Sequence, residues 1–304
     1  MASQILFIVY MDVLYQRLER AGLGCYIGSV YYGIIGYADD VILLAASIDC
    51  LNRMLKICKE FGRDFDVAYN AKKSKFIVFG ASSNSEFTSH VKLNGNVLDR
   101  VTELLFLGNI VRSDLMESSD VKMKVEDFNC RVNTLKFKMS LASHQVKCKL
   151  FSCKCAHAYG SESWNLADRA TNEYWSAYGR GARRLLGIPP SCPTVTIQAI
   201  LGNNGAFNMI CKKSFRLINT FRLSMNDRMQ FIYEVAMTDA RSIIRKNSFI
   251  IEEAWGGHQP PRFVRDRSPI TLGIIELLEV REGLRLLELD KDDIDSLMLL
   301  LCER

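Results

Sequence analysis

The sequence predicts an α+β fold that gives way to an all-α region, and three observations carry this. Short runs rich in Val, Ile, Phe and Tyr, punctuated by Gly and Asn-Gly, cluster before residue 114. Amphipathic segments at helical spacing are interleaved with them. Beyond residue 115 the apolar spacing is helical throughout. A small antiparallel sheet with covering helices, followed by helices alone, satisfies all three.

Taken in order, residues 5–20 form a densely apolar helix that stops at Gly22 and Gly24. From Gly28 to Ala46 the β-branched and aromatic content predicts two short strands joined by a tight turn, with Asp39 and Asp40 at its tip. Ser47 is placed as an N-cap with Asp49 in the first turn, and Ile48, Leu51, Leu55, Cys58 and Phe61 recur at helical spacing. "KFIVFG" (Lys75 to Gly80) then predicts a strand, Asn94-Gly95 a hairpin, and "LLFLGNIV" (Leu104 to Val111) a further strand. Helical patterns fill 115–187. "GIPPSCP" (Gly187 to Pro193) predicts a boundary, because prolines and glycine end helices and stiffen a linker. The expected organisation is therefore 1–80, 81–114, 115–187 and 194–304, the last region helical with an acidic end.

The chain has 304 residues, 48% hydrophobic and 24% charged, enough for a sizeable core and for more than one unit. A net charge of +5 permits a nucleic-acid partner only if the charge is clustered. Ten irregularly spaced cysteines and 11 methionines fit an intracellular, reducing compartment, without deciding between nucleus and cytoplasm. The apolar opening lacks a basic leader and a cleavage site, and no run of about 18 uncharged apolar residues occurs, so neither secretion nor a membrane partner is expected.

The chemistry concentrates in "IIGYADDVILLAA" (Ile34 to Ala46), where Asp39 and Asp40 stand in apolar company. Unpaired carboxylates are costly to bury, and a bound cation resolves that cost. Two carboxylates on a rigid turn suit Mg²⁺, a hard ion that takes a few carboxylates and completes its shell with water and phosphate oxygens. Polymerases use two such ions about 4 Å apart, bridged by a further carboxylate.

"YADD", Tyr37 to Asp40, resembles the YxDD motif of reverse transcriptases, and its surroundings resemble the enzymes of non-LTR (LINE-type) retrotransposons. Upstream, "SQILFIVYMDVL" (Ser3 to Leu14) resembles the end of motif B, with Gln4 where proline is usual. Downstream, "YNAKKSKFIVF" (Tyr69 to Phe79) resembles motif D, whose core falls on Asn70, Lys73 and Ser74. "LLFLGNIV" resembles motif E, the primer grip, centred on Phe106, Leu107 and Gly108. "AYGSESWNL" (Ala158 to Leu166) and "RRLLGIP" (Arg183 to Pro189) are similar to the thumb and the segment after it.

The resemblance implies an RNA-directed DNA polymerase that adds deoxynucleotides to a primer 3′-hydroxyl, with an RNA template and a DNA primer as partners and two Mg²⁺ ions as cofactor. Asp39 and Asp40 would be catalytic metal ligands and Lys73 would serve the nucleotide phosphates. Tyr37 and Ala38 would border the primer end, and Phe106, Leu107 and Gly108 would hold the primer. A partial palm, then a thumb, is the implied architecture. Arg131, Lys136, Lys138, Lys147, Lys149 and Lys154, a stretch without an acidic residue, would meet the nucleic-acid backbone. The resemblance begins inside motif B, so the family's motif A aspartate and fingers have no counterpart in these residues, and the chain alone is expected not to polymerise. The alternatives are a nucleic-acid-binding remnant without catalysis and a decaying relic without a role.

Other candidates carry less. Cys148, Cys153, Cys155 and His157 could be zinc ligands by type, but on a continuous helix they point to opposite faces, so no structural zinc is expected. Trp164, Trp175 and Trp255 read as core anchors before base-stacking platforms. Arg180, Arg183 and Arg184 in "WSAYGRGARRLLG" suit either a nucleic-acid contact or a solvated face.

Overall fold

The structure is a computed structural model that describes residues 2–80, 90–202 and 205–255. The fold is mixed α+β, with small sheets and a helical majority. It divides into two compact units, Met1–Leu104 with Arg112–Leu115, and Leu105–Val111 with everything from Met116 on. Residues 81–89 and the acidic end beyond 255 lie outside the described residues.

The first unit opens with α1 (Ala2–Arg20), where Met11, Leu14 and Leu18 recur at spacings of three and four and are buried. Two hairpins follow, β1 (Tyr26–Ile27) with β2 (Val30–Tyr31), and β3 (Ile34–Tyr37) with β4 (Asp40–Leu43), each antiparallel. The run from Gly28 to Ala46 thus holds three strands, β2 to β4, where two were expected. α2 (Ile48–Phe65) starts where Ser47 Oγ accepts from the Cys50 amide at 3.1 Å, and it ends on Asp66 in the left-handed region. Its buried Met54, Cys58 and Phe61 meet Met11, Leu14, Leu18, Leu23 and Tyr31 to make the unit's main core. Arg17 locks α1 to α2, pairing with Asp64 at 2.8 Å while its guanidinium lies 5.2 Å over the Phe65 ring.

A smaller core of Val91, Leu93 and Leu98 sits under the remaining short strands. β5 (Lys75–Phe76) pairs in parallel with β8 (Asp99–Arg100), and β6 (Lys92–Leu93) forms a hairpin with β7 (Asn96–Val97). The Asn94-Gly95 turn has φ of 52° and 84°, the type I′ geometry that Asn-Gly favours. "LLFLGNIV", expected as one strand, is instead a hairpin of β9 (Glu103–Phe106) and β10 (Asn109–Arg112), because Leu107 and Gly108 both take positive φ and reverse the chain.

The second unit is helical: α3 (Ser118–Lys138), α4 (His144–Leu150), a π turn at Phe151–Cys155, a 3₁₀ turn at Ser161–Ser163, and α5 (Arg169–Leu186), α6 (Thr194–Leu201), α7 (Gly205–Arg222), α8 (Asp227–Thr238) and α9 (Ile243–Trp255). α3 packs on α5 at Gly181, where a Cβ would come within 2.6 Å of the Phe128 ring. Phe128, Phe151 and Tyr178 stack around that crossing, with centroids 5.0–5.9 Å apart. The Gly187 to Pro193 segment, expected as a boundary, lies inside this unit. Ile188 and Cys192 are buried in its core, and Arg183 Nη2 donates to the Cys192 carbonyl at 2.8 Å.

One buried carboxylate organises the unit's entrance. Asp120 is 4% exposed and accepts from the Ile110 amide at 2.9 Å and from Trp164 Nε1 at 2.8 Å. Removing it leaves two buried donors without a partner, each costing about 1–3 kcal/mol. Asp120→Ala is therefore expected to destabilise this unit by about 2–6 kcal/mol. Tryptophan emission during urea unfolding measures this, because all three tryptophans belong to the second unit.

Candidate functional site

The β3–β4 hairpin pairs Ile34 with Leu43, Ile35 with Ile42, Gly36 with Val41 and Tyr37 with Asp40, leaving Ala38 and Asp39 as a two-residue turn. Paired residues share a face, so Ile34, Val41 and Leu43 pack on the core while Ile35, Tyr37, Ile42 and Asp40 form the outer face. The inner face is fixed by close approach: a Cβ on Gly36 would lie 1.7 Å from the Tyr15 hydroxyl. The outer face is open, with Ile35 48% and Tyr37 65% exposed.

Asp39 and Asp40 are exposed as well. The apolar flanks raise the cost of burying carboxylates, and the hairpin avoids it: Asp39 lies in the turn and Asp40 at the first position of β4 on the open face, so both reach solvent. Neither makes a side-chain hydrogen bond or ion pair among the described residues. Ala38 has φ of 51°, and it alone of the two turn residues is positive, the pattern of a type II′ turn whose first position favours glycine. A residue with a Cβ there is strained, and such strain concentrates where backbone geometry serves a site.

The motif D-like segment is held by its asparagine. Asn70 Oδ1 accepts from the Lys72 and Lys73 amides at 3.1 and 3.2 Å, and Ser74 Oγ donates to the Asn70 carbonyl at 2.9 Å. This Asx turn fixes the backbone at Lys73 and leaves its side chain exposed. No hydrogen bond or ion pair joins Lys73 to Asp39 or Asp40 among the described residues.

The primer-grip-like residues are a turn and a wall. Leu107 (φ 46°) and Gly108 (φ 79°) form the β9–β10 turn. Phe106 and Leu107 line a cleft of about 320 Å³ together with Glu117, Asp120, Tyr159 and Trp164. Burial pushes the Glu117 carboxyl above its usual range, and the charges of Asp168 and Asp120 push the same way. Asn109 Oδ1, in the same cleft, is buried without a hydrogen-bond partner.

The basic stretch is spread over three elements. Arg131, Lys136 and Lys138 lie on α3, Lys147 and Lys149 on α4, and Lys154 on the π turn. Arg131 pairs with Asp127 one turn earlier at 2.5 Å, and Lys147 Nζ donates to the Ser140 carbonyl at 3.1 Å. Lys136, Lys138, Lys149 and Lys154 are exposed. In the arginine-rich segment, Arg183 is held by Cys192, Arg184 donates to Asn129 Oδ1 at 3.0 Å, and Arg180 is exposed. Trp164 is 1% exposed and Trp175 packs edge-on against Phe207, so both are core anchors.

Sequence reasoning passed over a second cationic group. Lys124 Nζ donates to the Gly108 carbonyl at 2.5 Å and sits 5.4 Å over the Tyr159 ring. Lys213 Nζ donates to the Ala158 carbonyl, and Lys213 and Arg216 border a cleft of about 250 Å³ with Glu162, Leu217 and Thr220. Nothing in the linear sequence joins Lys124 to Lys213, which is why local patterns miss them.

Comparison with known families, curated proteins and solved structures returns no match for this chain. Among the described residues no helix is long and apolar enough to cross a membrane, and no group of three or more His, Cys, Asp or Glu side chains could hold a metal ion. Asp39 and Asp40 offer hard oxygen ligands of the type Mg²⁺ takes, and no third carboxylate joins them among the described residues. The cysteine-histidine segment is not the continuous helix assumed for it, since the π turn intervenes. Cys155 is buried there and Cys153 exposed.

If the turn is strained at Ala38, glycine relieves it. Ala38→Gly is expected to stabilise the first unit by up to about 1 kcal/mol, the relief of a left-handed residue (~1–2 kcal/mol) outweighing the added unfolded-state entropy of glycine (~0.4–1 kcal/mol), and Ala38→Val to destabilise it. Amide hydrogen exchange in β3, β4 and α2 checks both directions.

Proposed function

We propose that this chain is part of a reverse transcriptase of the non-LTR retrotransposon type, with the β3–β4 hairpin as the catalytic turn of a partial palm and α3 to α5 as a thumb. One observation carries the reading: Tyr37-Ala38-Asp39-Asp40 is a strained two-residue turn that presents two adjacent carboxylates beside an exposed aromatic ring. A turn held in an unfavourable conformation by its strands is pre-organised, and its carboxylates need no ordering when a cation arrives.

In this reading Asp39 and Asp40 hold Mg²⁺, which when bound neutralises phosphate charge and activates the attacking hydroxyl. Tyr37 and Ala38 border the primer end. Lys73, on its Asn70-fixed backbone, offers a cation to the departing phosphates. Phe106, Leu107 and Gly108 support the primer strand from the β9–β10 turn. A second reading, nucleic-acid binding without catalysis, is favoured by the exposed Lys136, Lys138, Lys149 and Lys154 together with the incomplete carboxylate set.

Paramagnetic broadening by Mn²⁺ tests the first reading. Amide resonances of residues 37–41 are expected to broaden selectively at millimolar Mn²⁺, and Asp39→Asn with Asp40→Asn to abolish the effect. Broadening elsewhere, or broadening that survives both substitutions, overturns it. Primer extension by the 304-residue chain with Mg²⁺ is expected to be absent; extension that Asp39→Asn abolishes would favour catalysis over the binding-only reading.

A further inference from the structure

We propose that Lys124, Tyr159, Lys213 and Arg216 form a binding site for the phosphodiester backbone of a nucleic-acid strand, with a base or sugar laid against the Tyr159 ring. The proposal stands on residues that the metal-binding reading does not use, and shares with it only the β9–β10 turn.

Three elements converge there. Lys124 comes from α3, Tyr159 from the loop before the 3₁₀ turn, and Lys213 and Arg216 from α7. The two ammonium groups are drawn onto backbone carbonyls on either side of Tyr159, Lys124 onto Gly108 and Lys213 onto Ala158. Anchored in this way, each lysine is ordered before any ligand arrives, so less rotamer entropy is lost on binding. Each ammonium has three donors and no acceptor, so donors beyond the carbonyl bond remain to be used.

Cations outnumber acids in the cluster, three (Lys124, Lys213 and Arg216) to one (Glu162). Glu162 is the acidic side chain lining the α7 cleft, against Lys213 and Arg216, and it makes no ion pair with either among the described residues. The Arg216 guanidinium is exposed, and no side-chain hydrogen bond engages it among the described residues. Burial holds the Lys213 ammonium below its usual range; the Glu162 carboxylate offsets part of this, the Lys124 and Arg216 charges add to it, and Lys212 is depressed by burial and by Arg216. Like charges held this close are relieved by an anion.

Shape selects the kind of anion. Lys213, Arg216 and Thr220 follow one face of α7 at spacings of three and four, a run of roughly 10 Å along the axis. That is longer than one phosphate and suits a polyanion. Tyr159 is 59% exposed beside the cations, and its ring borders Gly108, where an added Cβ would meet it at 3.3 Å. An exposed ring among cations is the arrangement by which proteins bind a single strand without reading its sequence.

Fluorescence anisotropy with a labelled 15-nucleotide oligodeoxynucleotide, titrated at several salt concentrations, tests this. Arg216→Gln, which breaks no contact of the fold, is expected to weaken binding several-fold and to lower the salt slope by roughly one. Tyr159→Ala is expected to weaken binding about tenfold, on the scale of one lost stack, while Tyr159→Phe keeps the affinity. Unchanged tryptophan emission shows that each variant is folded. Wild-type affinity in both Arg216→Gln and Tyr159→Ala overturns the site. So does loss of binding confined to charge reversal of Lys136, Lys138 and Lys149, a result that leaves the polymerase reading intact. Binding of phosphatidylserine vesicles in place of the oligonucleotide also overturns it.

Discussion

The second unit depends on the buried carboxylate of Asp120. It sits near the start of α3, and its two oxygens accept from groups far apart in the chain, the Ile110 amide in β10 and the Trp164 indole. Strand, helix and the loop before α5 are thereby fixed to one point. Trp164 is held a second time through its backbone: Asn247 donates to the Trp164 carbonyl at 2.8 Å and accepts from the Leu166 amide at 3.0 Å. A charge hydrogen-bonded on both oxygens and closed over by an indole costs far less than an unpaired one, and removing either partner exposes the full penalty. The cleft beside Phe106 and Leu107 keeps its shape because its back wall is this network.

The two turns that resemble catalytic and primer-holding segments share a backbone feature. Ala38 and Leu107 each occupy the first position of a two-residue hairpin turn with positive φ, at 51° and 46°. Glycine or asparagine would sit there without strain, as Asn94 does in the β6–β7 hairpin. Neither turn uses that solution. The strain is sustained by different means: strand pairing and the Gly36–Tyr15 contact in one case, the Lys124 bond to the Gly108 carbonyl in the other.

What the sequence made legible is local. The Ser47 cap, the α2 stripe and the Asn94-Gly95 hairpin follow from short-range chemistry, and so does the turn at Ala38-Asp39, where acidic residues interrupt an apolar run. "LLFLGNIV" misled because Leu107 is a poor turn residue by propensity, and the tertiary bond from Lys124 overrides that propensity. The π turn at Phe151–Cys155 left no local mark either. Charge was the least legible property. A run of basic residues without acids reads as one unit in sequence, while the fold distributes it over three elements and pairs Arg131 with Asp127. The cations that do converge are separated by most of the helical unit in sequence.

The acidic pair that first drew notice is also changed by its setting. Burial was the puzzle posed by its apolar neighbours, and the hairpin answers it: one strand face packs on α1 and α2, the other remains open, and the carboxylates stand in the turn and at the head of the open face. Two solvated carboxylates with no third ligand among the described residues hold a hard divalent cation weakly, because water competes well for such an ion. If the pair holds Mg²⁺ as proposed, phosphate oxygens would supply the remaining hard ligands; metal affinity at Asp39 and Asp40 would then be conditional on a phosphate-bearing ligand, and by reciprocity that ligand would bind more tightly with the cation present.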